Sequence, residues 1–231
     1  MSSMTPKSNN DNQERALAIL REKVMVGASL AEAVSILQRL DQETKVALTT
    51  YRDGNYTGLA HQMISRRLMY GNLVPSRLDT ENMLIEALTA MEVGEFNFYD
   101  LKYDHGDDAV NLLELTLALL HKNRDRGDYG NKIIVHIANR MSNIDALPEV
   151  EENDASLTPL MQSILSGDLQ ASMVLVECGA SLDLLNNRGK NARDYVELKR
   201  HSNFPFYLEF KTFLLEKAYA DKLVAKKRKP I

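Results

Sequence analysis

TPLMQSILSGDLQASMVLVECGASLDLLNNRGKNARDYV, residues Thr158–Val196, is the stretch that decides how the chain is read. Thr158 and Pro159 mark a helix start, because a threonine hydroxyl caps first-turn N–H groups and proline has no N–H of its own to satisfy there. Gly167 closes that helix. A second run, Leu169 to Cys178, carries Met173, Val174, Leu175 and Val176 and stops at Gly179-Ala180, where glycine takes the left-handed conformation of a helix end. Leu182 follows as an isolated apolar anchor in an extended segment.

These residues resemble the ankyrin repeat: Thr-Pro-Leu at a first helix, glycine at the turn, an apolar second helix, then Gly-Ala and an apolar anchor. Asn186-Asn187-Arg188-Gly189-Lys190-Asn191-Ala192 then reads as the loop and helix start of a final repeat. Asn191 stands 33 residues after Thr158, the period of that family. Two departures are visible: Met161 where the family usually has histidine, and Ser163-Ile164 where it has two alanines.

One helix pair cannot bury its apolar face, so neighbours are expected. Ile133 to Asp145 aligns with the second helix and anchor, with Ile144 in the place of Leu182. Its first helix is Asn111 to His121, and the unit carries extra residues at Lys122 to Asp128 and Ala146 to Asp154. Further upstream, DGNYTGLAHQMISRRL (Asp53 to Leu68) repeats the order of loop, threonine and first helix. Its second helix is Glu81 to Val93, ending at Gly94 with Phe96 as anchor, after a long inter-helix segment from Met69 to Asp79.

The rest of the chain agrees with an all-α reading. Apolar residues recur at three- and four-residue intervals in segments separated by Gly, Asn, Asp or Pro. Helices are predicted over 12–26, 30–49, 57–70, 79–92, 109–123, 129–141, 158–165, 169–178, 191–199 and 205–225. Ser29 with Glu32 forms a capping box, and Asp79 precedes an amphipathic run. The expected organisation is a disordered N-terminus (1–11), a helical N-terminal cap (12–50), about four divergent ankyrin-like repeats (51–200), a capping helix (201–225) that gathers Phe206, Phe210, Phe213, Leu214 and Leu223 on one face, and a basic tail (226–231).

Composition bounds the function. The chain has 231 residues, 44% hydrophobic and 26% charged, enough for a folded body. Its formal net charge of −4 supplies no global basic field, so direct nucleic-acid binding is not expected. Cys178 is the only cysteine, which excludes an intramolecular disulfide and a cysteine zinc cage and suits a reducing, cytoplasmic compartment. The first fifteen residues are polar and lack a secretory leader, and no segment offers some eighteen apolar residues in a row.

Candidate chemistry is sparse. None of His61, His105, His121, His136 and His201 pairs at the spacing of a helical metal site. Asp104-His105-Gly106-Asp107-Asp108 offers oxygens for a cation but lacks the calcium-loop pattern; read structurally it is a loop with an Asp cap for the next helix. Cys178 falls at a packed helix end, where a thiol without a cationic neighbour is inert. No glycine cluster forms a phosphate loop and no serine sits in a nucleophile elbow. The expectation is no catalytic residue, no metal and no cofactor.

Lys226, Lys227, Arg228 and Lys229 resemble a nuclear localisation signal; the same run suits contact with nucleic acid or an anionic membrane surface, or a solvated helix end. The acidic stretch Asp145 to Asp154 reads as a loop that repels acidic partners or docks a basic one. The ankyrin resemblance implies protein binding through loop tips and the concave face. The tips are Arg52, Asp53, Asn55 and Tyr56, then Asp104, His105 and Asp107, then Asn187, Arg188 and Lys190. Tyr56, Arg52 and Arg188 are the expected anchors. Irregular spacing also resembles ankyrin effectors that intracellular bacteria deliver into host cells. The alternative is an enzyme or metal-dependent N-terminal domain with the repeats as its targeting arm, and the apolar stripe of the last helix also suits self-association.

Overall fold

The structure, a computed structural model, describes residues 17–22, 29–50, 58–70, 77–105, 108–122, 129–148 and 155–227. Outside them lie the expected N-terminal disorder, the loop-tip residues Arg52, Asp53, Asn55, Tyr56 and Asp107, most of the Lys122–Asp128 insertion, the acidic residues 149–154, and Arg228 and Lys229 of the tail.

Eleven helices account for nearly all regular structure among the described residues: α1 (17–22), α2 (Leu30–Arg39), α3 (Gln42–Thr50), α4 (Leu59–Tyr70), α5 (Arg77–Met91), α6 (Leu112–Lys122), α7 (Asn131–Ala138), α8 (Pro159–Ser166), α9 (Leu169–Glu177), α10 (Ala192–Ser202) and α11 (Phe204–Lys227). A 3-10 turn at Phe98–Asp100 and one antiparallel hairpin, β1 (Tyr103–His105) with β2 (Asp108–Val110), complete it. The chain divides into two compact units, Met1–Ser142 and Asn143–Ile231, a boundary that falls inside the segment read as repeats.

Local chemistry explains the element ends. Ser29 and Glu32 form the expected capping box, each accepting from the other's backbone N–H at 3.3 and 2.8 Å. The single helix expected over 30–49 is instead two. Leu40 is extended, and Asp41 caps the second helix by accepting the Thr44 N–H at 2.8 Å. Such a side chain competes with the helical ladder for local N–H groups, which the apolar periodicity does not register. Helix α5 begins at Arg77, ahead of Asp79. Residues 201–202 end α10, so the C-terminal helix starts at Phe204 and runs through Lys226 and Lys227 of the tail.

In the first unit, α4 and α5 form one hairpin and α6 and α7 a second, with α4 against α6 and α5 against α7. Helix α2 lies on α5, and α3 on both α4 and α5. Ile64, Leu68, Leu84, Leu88, Leu112, Leu113, Leu120, Ile133 and Ile134 are fully enclosed between them. The N-terminus of α7 is capped from a neighbour: Glu81 of α5, itself buried, accepts the Lys132 N–H at 2.8 Å. Gly130 at the start of α7 has φ +88°, and a Cβ there would lie 2.5 Å from both Leu120 methyls.

The second unit has the same plan. Helices α8 and α9 pair, α10 and α11 pair, α8 lies on α10 and α9 on α11. Thr158 caps α8 with Pro159 in its first turn, and Gly167 and Gly179 take φ of 76° and 95° where the sequence places helix ends. Met161 is fully buried, and Ser163 donates to the Leu160 carbonyl and meets the Ser172 hydroxyl at 2.9 Å across the α8–α9 pair. Lys199 of α10 reaches the Leu165 carbonyl at 2.7 Å, placing a cation at the C-terminal end of α8 where helix dipole and carbonyl both favour it. No helix among the described residues is long and apolar enough to cross a membrane.

Gly130→Ala is expected to destabilise the first unit by about 2 kcal/mol, since the new methyl overlaps Leu120 and the backbone disfavours an L side chain. Denaturant unfolding measures it; an unchanged midpoint would contradict the packing of α6 against the start of α7.

Candidate functional site

The segment from Ser181 to Lys190 joins α9 to α10, and the chain holds it from beneath. Asp145 accepts the Ser181 N–H on both carboxylate oxygens, at 2.9 and 3.1 Å. The Ser181 hydroxyl accepts the N–H groups of Asp183 and Leu184 at 3.2 and 3.1 Å. Arg193 of α10 grips Asp183 with two nitrogens, at 2.6 and 3.3 Å. That bond holds the Asp183 carboxyl below its ordinary range, but both groups are well exposed and the pair adds little stability.

Asn186 is the centre of the turn. Its buried side-chain oxygen accepts the N–H groups of Arg188 and Lys190 at 2.9 and 3.0 Å, and its amide donates to the Tyr195 hydroxyl at 2.9 Å. Its own backbone N–H donates to the Lys190 carbonyl at 2.9 Å. One asparagine therefore closes the loop and orients it against α10, while other side chains of the loop stay exposed. Among them are Leu184, Leu185, Arg188 and Lys190, with Leu185 57% exposed.

Three of the residues singled out in the sequence thus fall on this loop, and their roles divide. Arg188 and Lys190 are exposed on its outer side. Asn187 is exposed too, but its side-chain oxygen accepts the Ser156 N–H at 2.9 Å, so it fixes the incoming chain as well as facing outward. Leu184 and Leu185 were not among the expected contact residues. Two leucines between Asp183 and Asn186, outside any helical period, are the signal that marks them.

In the first unit, Asp104 and His105 lie on β1, paired in register with Ala109 and Asp108 of β2. The tip residues are thus carried on a hairpin rather than an irregular loop. Helix α6 is capped by Asn111 and Glu114, not by an aspartate: Asn111 accepts the Glu114 N–H at 2.9 Å and Glu114 the Asn111 N–H at 2.8 Å. Lys226 and Lys227 occupy the last turn of α11.

A second cluster joins the end of α5 to α7. The Tyr99 hydroxyl donates to Glu92 at 2.9 Å and lies 3.0 Å from His136 Nε2. With its hydrogen given to Glu92, the phenol accepts from His136, which assigns the proton of the neutral ring to Nε2. Arg140 donates to Glu92 and to the His136 carbonyl. Burial, and secondarily the Arg140 charge, push His136 down to about 4. Burial, then the bond to Glu92, pushes the Tyr99 hydroxyl well above its ordinary range. His136 is 7% exposed, so the ring atoms meet one another rather than a ligand from solution. Burial also raises the Cys178 thiol, keeping it protonated, at the half-buried cap of α9. Among the described residues no three His, Cys, Asp or Glu side chains converge as metal ligands.

Comparison with protein-family models and with curated proteins returns no match to this chain.

Replacing Asn186 with Ala leaves two loop N–H groups and the Tyr195 hydroxyl without their partner and is expected to cost about 2 kcal/mol. A loss under about 0.5 kcal/mol in denaturant unfolding would show that the asparagine does not hold the turn. Below pH 6.5 the unfolded His136 takes a proton that the folded ring refuses until about pH 4, so stability falls as pH falls through that window. His136→Gln is expected to flatten the pH dependence of Tm between pH 7 and 4; a slope equal to wild type would contradict a neutral buried ring.

Proposed function

We propose that the chain is a non-enzymatic protein-binding module built of divergent, ankyrin-like helix hairpins in an array, and that the Ser181–Lys190 loop is a principal contact. The observation that carries it is the contrast within this loop: Asp145 and Asn186 fix its backbone and Asn187 ties it to Ser156, while Leu185, Arg188 and Lys190 are exposed. A binding surface of that kind loses little conformational entropy when a partner arrives. A rigid apolar side chain beside a guanidinium is the chemistry of an interface anchor with a charged rim.

Several features support the hairpin-array reading. Thr158 and Asn191, 33 residues apart, each cap a first helix by accepting the N–H three residues on, from Met161 and Asp194. The two capped helices, α8 and α10, lie side by side. In both units first helix meets first helix and second meets second. The departures at Met161 and Ser163-Ile164 are absorbed without an orphaned hydroxyl, because methionine is buried in the core and Ser163 finds Leu160 and Ser172. The preference is for a protein surface that is acidic opposite Arg188 and Lys190 and apolar opposite Leu185.

A photo-crosslinking residue in place of Leu185 is expected to capture a specific protein from cell extract. Excess wild-type chain should compete for that protein, and Arg188→Glu with Lys190→Glu should lower its recovery at least about tenfold, about 1.4 kcal/mol. Recovery independent of both substitutions and of competitor, with circular dichroism unchanged, would remove the loop from the interface.

A further inference from the structure

The acidic insertion after Asp145 leaves and re-enters the second unit at the foot of the Ser181–Lys190 loop. The Ser156 hydroxyl donates to the Pro148 carbonyl at 2.6 Å, which draws the two ends of the insertion together, and the Ser156 N–H donates to the Asn187 side chain at 2.9 Å. Ser156 is buried, so this knot belongs to the packed part of the unit. Arg188 follows Asn187 directly. The N–H groups of Arg188 and Lys190 both reach the Asn186 side-chain oxygen, at 2.9 and 3.0 Å, so the two basic residues stand side by side next to the knot. Between Pro148 and Ser156 the sequence reads EVEENDA, residues 149–155, in which Glu149, Glu151, Glu152 and Asp154 are acidic and none is basic. With both ends tied together, covalent geometry limits so short a segment to about 12 Å from its base, within reach of Arg188 and Lys190.

We propose that the acidic segment 149–154 is an internal ligand of the Ser181–Lys190 loop, its carboxylates meeting Arg188 and Lys190, and that an outside partner binds by taking its place. The competition rests on the reading of this loop as a partner contact; the internal contact does not. Carboxylates so close in sequence repel one another, and two cations at the base of the segment relieve that repulsion. The loop's own carboxylate, Asp183, is held by Arg193. Each exposed ion pair is weak by itself. A tethered segment, however, meets its target at about millimolar effective concentration without the entropy loss of a second molecule, so a few weak pairs together suffice. Val150 adds an apolar residue to the segment, and the loop exposes Leu184 and Leu185. The segment thus carries the acidic and apolar chemistry that the loop selects in a partner.

Zero-length carbodiimide coupling of the purified full chain tests the internal contact, because it joins a carboxylate to an amine only where the two touch, and peptide mapping locates the amide. Lys190 is expected to couple to the 149–154 segment at low ionic strength, with a yield that falls at least about threefold in about 1 M salt, where the Debye length shrinks to about 3 Å. Poly-L-glutamate, as an external acidic probe, tests the competition. Glu149→Gln, Glu151→Gln and Glu152→Gln together are expected to tighten its binding at least about threefold more than Glu209→Gln, Glu216→Gln and Asp221→Asn, exposed positions of α11 that change the net charge equally. No Lys190 coupling, or a yield indifferent to salt, would overturn the internal contact while leaving the loop's role as a partner contact standing. Equal or absent tightening in the two triple variants would overturn the competition.

Discussion

Helices of eight or nine residues, such as α7, α8 and α9, do not stand in water by themselves, and everything else in the structure follows from that constraint. Each must lay an apolar face on a neighbour, and each brings helix ends and a connecting turn whose N–H and C=O groups also need partners. The chain meets both demands with the same device, a helix hairpin set against the next hairpin. Leucine and isoleucine fill the contact, and single polar side chains reach across to close the next turn.

Those polar side chains recur in both units. Asp100 accepts the Ser142 N–H on both oxygens, at 3.0 and 3.2 Å, and Asp145 does the same for Ser181. Glu81 caps α7 from α5, and Asn97 donates to the Arg140 carbonyl at 2.8 Å. At Glu81 and Asp145, where the sites are partly buried, a carboxylate accepting backbone N–H groups is worth more than an exposed ion pair, because the alternative is a partly buried donor left bare. The Glu92–Tyr99–His136–Arg140 cluster belongs to the same class of joint, with the neutral histidine as its pH-sensitive member.

Most helices were legible from the sequence, and the failures have identifiable causes. The run Thr158–Val196 places α8, α9 and the start of α10 within a residue or two because its caps and glycines are strong local signals. The break at Leu40-Asp41 was not legible, since the apolar period continues across it and only the Asp41 side chain interrupts the ladder. The β1–β2 hairpin escaped because three-residue strands are too short for alternation to show. At the loop of the second unit, Arg188 and Lys190 could be named from the repeat pattern. The double role of Asn187 and the exposure of Leu185 depend on Ser156 and on the path of the turn, which spacing alone does not contain.

A loop that binds through fixed geometry must be fixed before the partner arrives. Amide hydrogen exchange of the unbound chain at Ser181, Asn186, Arg188 and Lys190 reads this directly, because each N–H donates to Asp145, Lys190 or Asn186 rather than to water. Protection comparable with that of α8 and α9 is the predicted result. Exchange at the rate of an unstructured peptide would contradict a preformed loop and, with it, the proposed binding role of that loop.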